Sequence, residues 1–361
     1  MDPLSVVRRR LVEQRLAGEP FVAVHDAVWW LGAVQAQEFA EAKWSLAERT
    51  HDRTDADVEA AFARGDIIRT HVLRPTWHFV AREDLRWLLR LSRPRVHALN
   101  RYWYRKFELA PDVLARAHGV LARTLAGGEP RTRRQLAREL AGAGIDAGGL
   151  RLGYLLMHAE LEELICSGPR RGNQHTYALL DERVPGSSLD GRAREEACAE
   201  LALRYFRSHG PATIRDFTAW SSLTVSDARS ALERVGPELE AEQDHSGRRW
   251  YAAPSRSQDA LRSAQGAFLV PMYDETIVAY QDLRVVLAHQ PRRPGLLERA
   301  IVIDGCTHGS WKRTLTARSV TITASLFGPL AAPETDALGE TVERFGRFLD
   351  VDASVTAVTA T

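Results

Sequence analysis

The chain has 361 residues, a net charge of +1 and 45% hydrophobic residues, which allows several packed modules but not one ordinary core. No apolar run nears the roughly 20 residues of a membrane span, and Met1-Asp2-Pro3-Leu4-Ser5 lacks a secretory core, so a cytoplasmic protein is expected. Cys166, Cys198 and Cys306 are too widely spaced for a zinc pair or an iron–sulfur run, and no His-Glu-x-x-His, phosphate-loop or dinucleotide fingerprint occurs. Neither a metal nor a cofactor is expected.

Near the start, the apolar run Trp29-Trp30-Leu31-Gly32-Ala33-Val34 leads into Gln35-Ala36-Gln37. Carboxamides are costly to bury unless their donors and acceptors are used, and a water molecule fits between two of them. Residues two apart on a continuous helix point about 200° away from each other, so a shared water requires the helix to end or distort between Val34 and Gln37. By spacing alone, the pair reads as two ordinary polar residues at a helix terminus.

Further on, a helix over Asp55 to Arg64 precedes a hairpin over Ile67 to Val80, turned near Arg74-Pro75. Arg69, Arg74 and His78 lie on or beside it and read either as phosphate contacts or, for the arginines, as a solvated wing. Trp77 either packs on a ribose or base, or sits in the core. From Arg82 to Arg138 the chain carries 14 Lys/Arg against 5 Asp/Glu, which either attracts a polyanion or forms a solvated helix face. Within this block, Tyr102, Trp103 and Tyr104 interleave with Arg101, Arg105 and Lys106, as on a nucleic-acid surface or a buried aromatic face.

The helix–helix–hairpin order returns with helices over Thr132 to Ala141 and Leu150 to Leu164 and a hairpin over Ile165 to Leu180. Arg131, Arg133, Arg134, Arg170 and Arg171 there read as phosphate contacts. It returns again with a helix after Thr213, a break at Ser221-Ser222-Leu223, a helix over Ser226 to Val235 and a hairpin turned at Asp244-His245-Ser246-Gly247. The reading is of three tandem winged helices, at 1–95, 96–185 and 190–256.

After Ala267, six short β-rich stretches (Phe268 to Tyr273, Ile277 to Tyr280, Leu283 to Ala288, Ala300 to Ile303, Ser310 to Leu315, Val320 to Phe327) predict a small β-barrel-like domain over 265–361, with turns at Asp304-Gly305 and His308-Gly309. A helix over Glu334 to Leu349 covers an opening or edge, and the tail Asp350 to Thr361 is expected to be disordered and carries little signal. Asp274 and Glu275 read as an acidic pair behind the site or as a strand-end turn. The basic loop with Arg292 and Arg293, and the hairpin Ala300 to Leu315, are candidates to enter the minor groove.

Gln35-Ala36-Gln37, the stretch Arg69-Thr70-His71-Val72-Leu73-Arg74-Pro75-Thr76-Trp77-His78 and the stretch Met272-Tyr273-Asp274-Glu275-Thr276-Ile277-Val278-Ala279-Tyr280 occur in that order, and with them the chain resembles the AlkZ/YcaQ family of winged-helix DNA glycosylases. The resemblance implies an α+β fold of three tandem winged helices around a concave basic channel, with a catalytic Gln-x-Gln at Gln35 and Gln37. It further implies a monomeric, metal-independent DNA glycosylase that excises bulky N7-alkylated purines from double-stranded DNA, in alkylation repair or self-resistance to an alkylating antibiotic; the scarcity of lysines, with only Lys43 near the glutamines, predicts a monofunctional enzyme. Asp282-Leu283-Arg284 departs from the expected direct Asp-Arg pair. A non-enzymatic winged-helix DNA-binding or regulatory protein is the alternative. An open base region beside the glutamines, with no tight nucleobase pocket, is expected if bulky adducts are handled.

Overall fold

Thr54, Thr132, Thr213 and Thr224 each open a helix with a capping box: the hydroxyl accepts the amide three residues on, where Asp57, Gln135, Asp216 or Asp227 returns a bond to the threonine amide. These caps punctuate a repeated order of elements in the computed structural model, which describes residues 2–185, 191–254, 265–281 and 299–359. Helix α1 (Pro3–Glu13) leads into α2 (Val24–Leu31), β1 (Val34–Gln35), α3 (Phe39–Ala47), α4 (Asp55–Arg64), β2 (Ile67–His71) and β3 (Trp77–Ala81). The strands form a sheet in the order β1-β3-β2.

The long helix α5 (Leu85–Lys106) connects to the second set: α6 (Pro111–Leu125), β4 (Arg131–Thr132), α7 (Arg133–Gly142), α8 (Gly149–Leu161), β5 (Ile165–Arg171) and β6 (Gln174–Leu179), with sheet order β4-β6-β5. After a short α9 (Leu180–Arg183) come α10 (Arg194–His209), α11 (Ile214–Ser221), α12 (Val225–Val235), β7 (Glu240–Gln243) and β8 (Arg249–Ala252). Ala212 bridges Tyr251 where the other sets have their first short strand. All three sets thus share one sequence of helix, extended segment, two helices and hairpin.

The C-terminal part comprises β9 (Ala267–Val270), α13 (Glu275–Val278), β10 (Ala300–Ile303), β11 (Cys306–Leu315), β12 (Ser319–Leu326), α14 (Ala332–Leu349) and β13 (Asp352–Thr359). Here the expected barrel is corrected. Among the described residues the sheet is open, ordered β13-β12-β11-β10-β9 with β9 and β13 as its edges. Ile277 to Tyr280 is not a strand, because Asp274 accepts the Thr276 amide and starts a helical turn. His308-Gly309 is no turn but the interior of β11; Gly309 lies so close to β12 that a Cβ there would meet the Ser325 carbonyl at 2.2 Å. The tail, expected to be disordered, instead pairs in parallel with β12 from Asp352 to Thr359, with α14 as the crossover helix. The expected strand Leu283 to Ala288 lies outside the described residues.

Helix α14 packs on the sheet and on the first repeat together. Phe345 meets Trp44 of α3 at 4.7 Å and Trp311 of β11 at 5.6 Å, and the two indoles donate to the β9 carbonyls of Leu269 and Val270. A second core joins the β2–β3 hairpin, α5, α10, α11 and α12. The first repeat therefore lies between the third repeat and the C-terminal sheet, and the site is built there. Among the described residues, no helix is long and apolar enough to cross a membrane.

Candidate active site

Gly32 ends α2 with φ 77°, a conformation costly for a side-chain-bearing residue. The chain leaves the helix extended: Val34 pairs with Phe79, Gln35 with His78, and the Ala36 amide donates to the Trp77 carbonyl at 2.7 Å. Helix α2 thus ends before the glutamines, with Gln35 in β1 and Gln37 in the bend that follows it. Ala36 is buried, Gln35 is 9% exposed and Gln37 is open to solvent.

Three charged side chains hold this segment. Arg69, only 6% exposed, donates to the carbonyls of Ala36 at 2.9 Å and Gln37 at 3.4 Å while lying 4.1 Å over the Trp77 ring. Burial pulls its pKa down to about 10, so it remains a cation at neutral pH. Arg74 donates to Gln35 Oε1 at 2.9 Å and to the Val278 carbonyl at 3.4 Å, and its Nη2 is 3.3 Å from His78 Nε2. Burial, reinforced by the Arg74 charge, holds His78 well below the ordinary histidine range. The ring is therefore neutral, with Nδ1–H donating to the Thr76 carbonyl at 3.0 Å and Nε2 accepting from Arg74.

Glu275 is the third. Its Oε1 accepts the Gln35 backbone amide at 2.9 Å and its Oε2 accepts Trp220 Nε1 at 2.9 Å, with His209 Nε2 at 3.5 Å. It is fully buried and ties the glutamine segment to α10 and α11. Asp274 faces the other way, taking two bonds from Arg49 and one from Ser45. Burial pushes its carboxyl up, but the Arg49 charge and these bonds outweigh that and lower it. The acidic pair is thus both a helix start and a brace.

The other sequence candidates disperse. Trp77 is half-buried between Arg69 and the His71 ring, 3.9 Å away, and His71 pairs with buried Glu160. Arg170 donates to Glu59 at 2.9 Å, as does Lys43 at 3.0 Å, and Lys43 also binds Asp55 at 2.7 Å. Arg171 is exposed near Glu129, 3.6 Å away. Arg131 lines an open groove of about 850 Å³ together with Arg123 and Arg138, while Arg133 and Arg134 are exposed on the first turn of α7. Tyr102 is exposed, whereas Trp103 stacks on Phe107 and Tyr154. In the hairpin Ala300 to Leu315, the turn at Gly305 is docked on Leu4, Val7 and Arg8 of α1. Arg292, Arg293 and Arg284 lie outside the described residues.

The family described as DNA glycosylase AlkZ-like matches residues 28–348. The chain belongs to the AlkZ-like DNA glycosylase family. It is a DNA glycosylase and acts on DNA. A relative in Streptomyces sahachiroi, named interstrand DNA cross-link repair glycosylase, is 26% identical over 324 residues, which span 84% of this chain and 85% of that protein. The solved structure of Streptomyces sahachiroi DNA glycosylase AlkZ superposes with a TM-score of 0.80 at 22% identity, covering 98% of this chain and 99% of that one. A non-enzymatic regulator, the alternative from sequence, gives way to the family assignment.

Proposed function

We propose that this glycosylase hydrolyses the N-glycosidic bond of bulky N7-alkylated purines in double-stranded DNA, with a water positioned by Gln35 and Gln37. An N7-alkylguanine already carries positive charge, so its glycosidic bond is weakened and the base departs without a general acid. What remains is to orient a nucleophilic water under C1′ and to tolerate an oxocarbenium-like sugar, which carboxamide oxygens do by hydrogen bonding and dipole. Glutamine does not titrate, so the catalyst is weak, and only an activated leaving group is released. Normal guanine is spared.

The observation that carries this reading is the clamped segment: Arg69 on the Ala36 and Gln37 carbonyls, Glu275 on the Gln35 amide and Arg74 on Gln35 Oε1. Arg74 occupies one lone pair of that oxygen and leaves the other to accept from water. His78, kept neutral, adds no further positive charge beside the cationic sugar. Gln37 in solvent, next to exposed Glu38, supports a site open to adducts too large for a closed pocket.

The three repeats are winged helices in this reading, with the exposed arginines of α7 and the groove at Arg131 as phosphate contacts along a basic channel. The enzyme acts as a monomer in the cytoplasm and needs no cofactor. It is monofunctional: Lys43, the lysine nearest the glutamines in sequence, has its ammonium engaged by Asp55 and Glu59. The relative's named activity extends the substrate range to cross-linked duplexes, in repair or antibiotic self-resistance.

Duplexes carrying N7-methylguanine, a bulky N7 adduct or unmodified guanine test this, with abasic sites scored by alkaline cleavage. Base release from the two lesions and none from guanine is expected, with no strand break before alkali. Absence of release from every N7 lesion would refute it.

A further inference from the structure

Away from the glutamines, imidazoles from three helices converge. His97 lies on α5, His118 on α6 and His158 in the last turn of α8, which Glu162 follows directly. Ligand atoms of His97, His158 and Glu162 fall within 4.8 Å of one another. His97 Nε2 and Glu162 Oε1 are 3.0 Å apart, while His97 Nδ1 meets the Tyr104 hydroxyl at 2.8 Å. His158 Nδ1 faces His118 Nε2 at 3.1 Å. The second oxygen of Glu162 is held by Arg93 at 3.3 Å.

We infer that His97, His158 and Glu162 form a site for a zinc-class divalent cation that braces α5 against α8. Two imidazole nitrogens and a carboxylate favour zinc over magnesium or calcium, which prefer all-oxygen shells. Zinc bonds of roughly 2.0–2.1 Å place tetrahedral ligands about 3.3 Å apart, close to the separation of His97 Nε2 and Glu162 Oε1. Each imidazole also has an outer partner for its other nitrogen, Tyr104 for His97 and His118 for His158, the arrangement that fixes ring orientation at metal centres.

Sequence motifs missed this group because its ligands come from different helices. Only the His158–Glu162 spacing of four, one turn apart, was visible.

Full-length protein stripped with EDTA and titrated with zinc chloride by calorimetry tests the site, with thermal melting in parallel. One zinc per chain and a raised Tm are expected. Glu162→Gln, a surface change compatible with folding, and His158→Ala each weaken binding by about tenfold or more and remove the thermal shift. Cys306→Ser leaves both intact. No stoichiometric zinc binding, or binding unchanged in both site variants, would overturn the inference and leave a hydrogen-bonded histidine cluster.

Discussion

The carboxylate of Glu275 accepts the backbone amide of Gln35 at 2.9 Å, across 240 positions of sequence. The glutamine segment is therefore set by the third repeat and the C-terminal part as much as by its own sheet. Glu275→Ala leaves the Gln35 amide and the Trp220 indole without an acceptor, at about 1–3 kcal/mol for each buried donor. Chemical denaturation should show a loss of that order, and base release should slow in protein that remains folded. Unchanged stability would mean that the contact is not maintained in solution.

Arg74 bonds to Gln35 Oε1, so under the proposed mechanism it is expected to act on rate rather than on DNA affinity. Arg74→Ala is expected to lower single-turnover release by about 10-fold to 100-fold, the order of a lost orienting interaction. Its DNA Kd and salt dependence should stay at wild-type values. A fall in the salt slope by about one would instead identify a phosphate contact.

Arg131 should behave in the opposite way. It lines the groove with Arg123 and Arg138, where a phosphate backbone can lie. Arg131→Ala is expected to weaken binding to any duplex and to reduce the salt slope by about one, with release at saturating protein unchanged. A rate defect at saturation with unaltered binding contradicts this placement.

Acid and base should destabilise the fold through different groups. Burial raises Glu48 to about 8, with Arg344 and Arg49 opposing and Asp274 adding to it. A raised folded pKa gives stability that is complete below the unfolded value near 4.5 and is lost as pH rises toward 8. Glu48→Gln should remove that decline, whose slope is at most about 1.4 kcal/mol per pH unit. His175 runs the other way: burial and nearby Arg69, Arg170 and Lys43 lower it to about 4, so stability is lost as pH falls from 6.5 toward 4. Urea titrations of wild type, Glu48→Gln and His175→Asn across pH 4 to 8 check both signs.

Much of the architecture was legible because its signals are local. The capping threonines mark helix starts, and the helix Asp55–Arg64 and the hairpin that follows stand close to where periodicity places them. Gln35 and Gln37 were visible through the motif, and the need for the helix to end before them followed from helical geometry. What could not be read depends on distant partners. The run Ile277 to Tyr280 is apolar enough for a strand, yet Asp274 turns it into a helix. The tail has weak alternation and gains its order from the exposed edge of β12. Arg69, Arg74 and His78 looked like surface groups on a hairpin, and only their burial against β1 and α13 shows that they brace the glutamines.

The most direct measurement is single-turnover release of N7-methylguanine by wild type, Gln35→Ala, Gln37→Ala and the double variant, with duplex affinity measured on the same samples. Each single change is expected to lower the rate by about 100-fold or more. The double variant should fall to background, and all four proteins should bind DNA alike. Release at the wild-type rate by the folded double variant would contradict the proposed role of the glutamines.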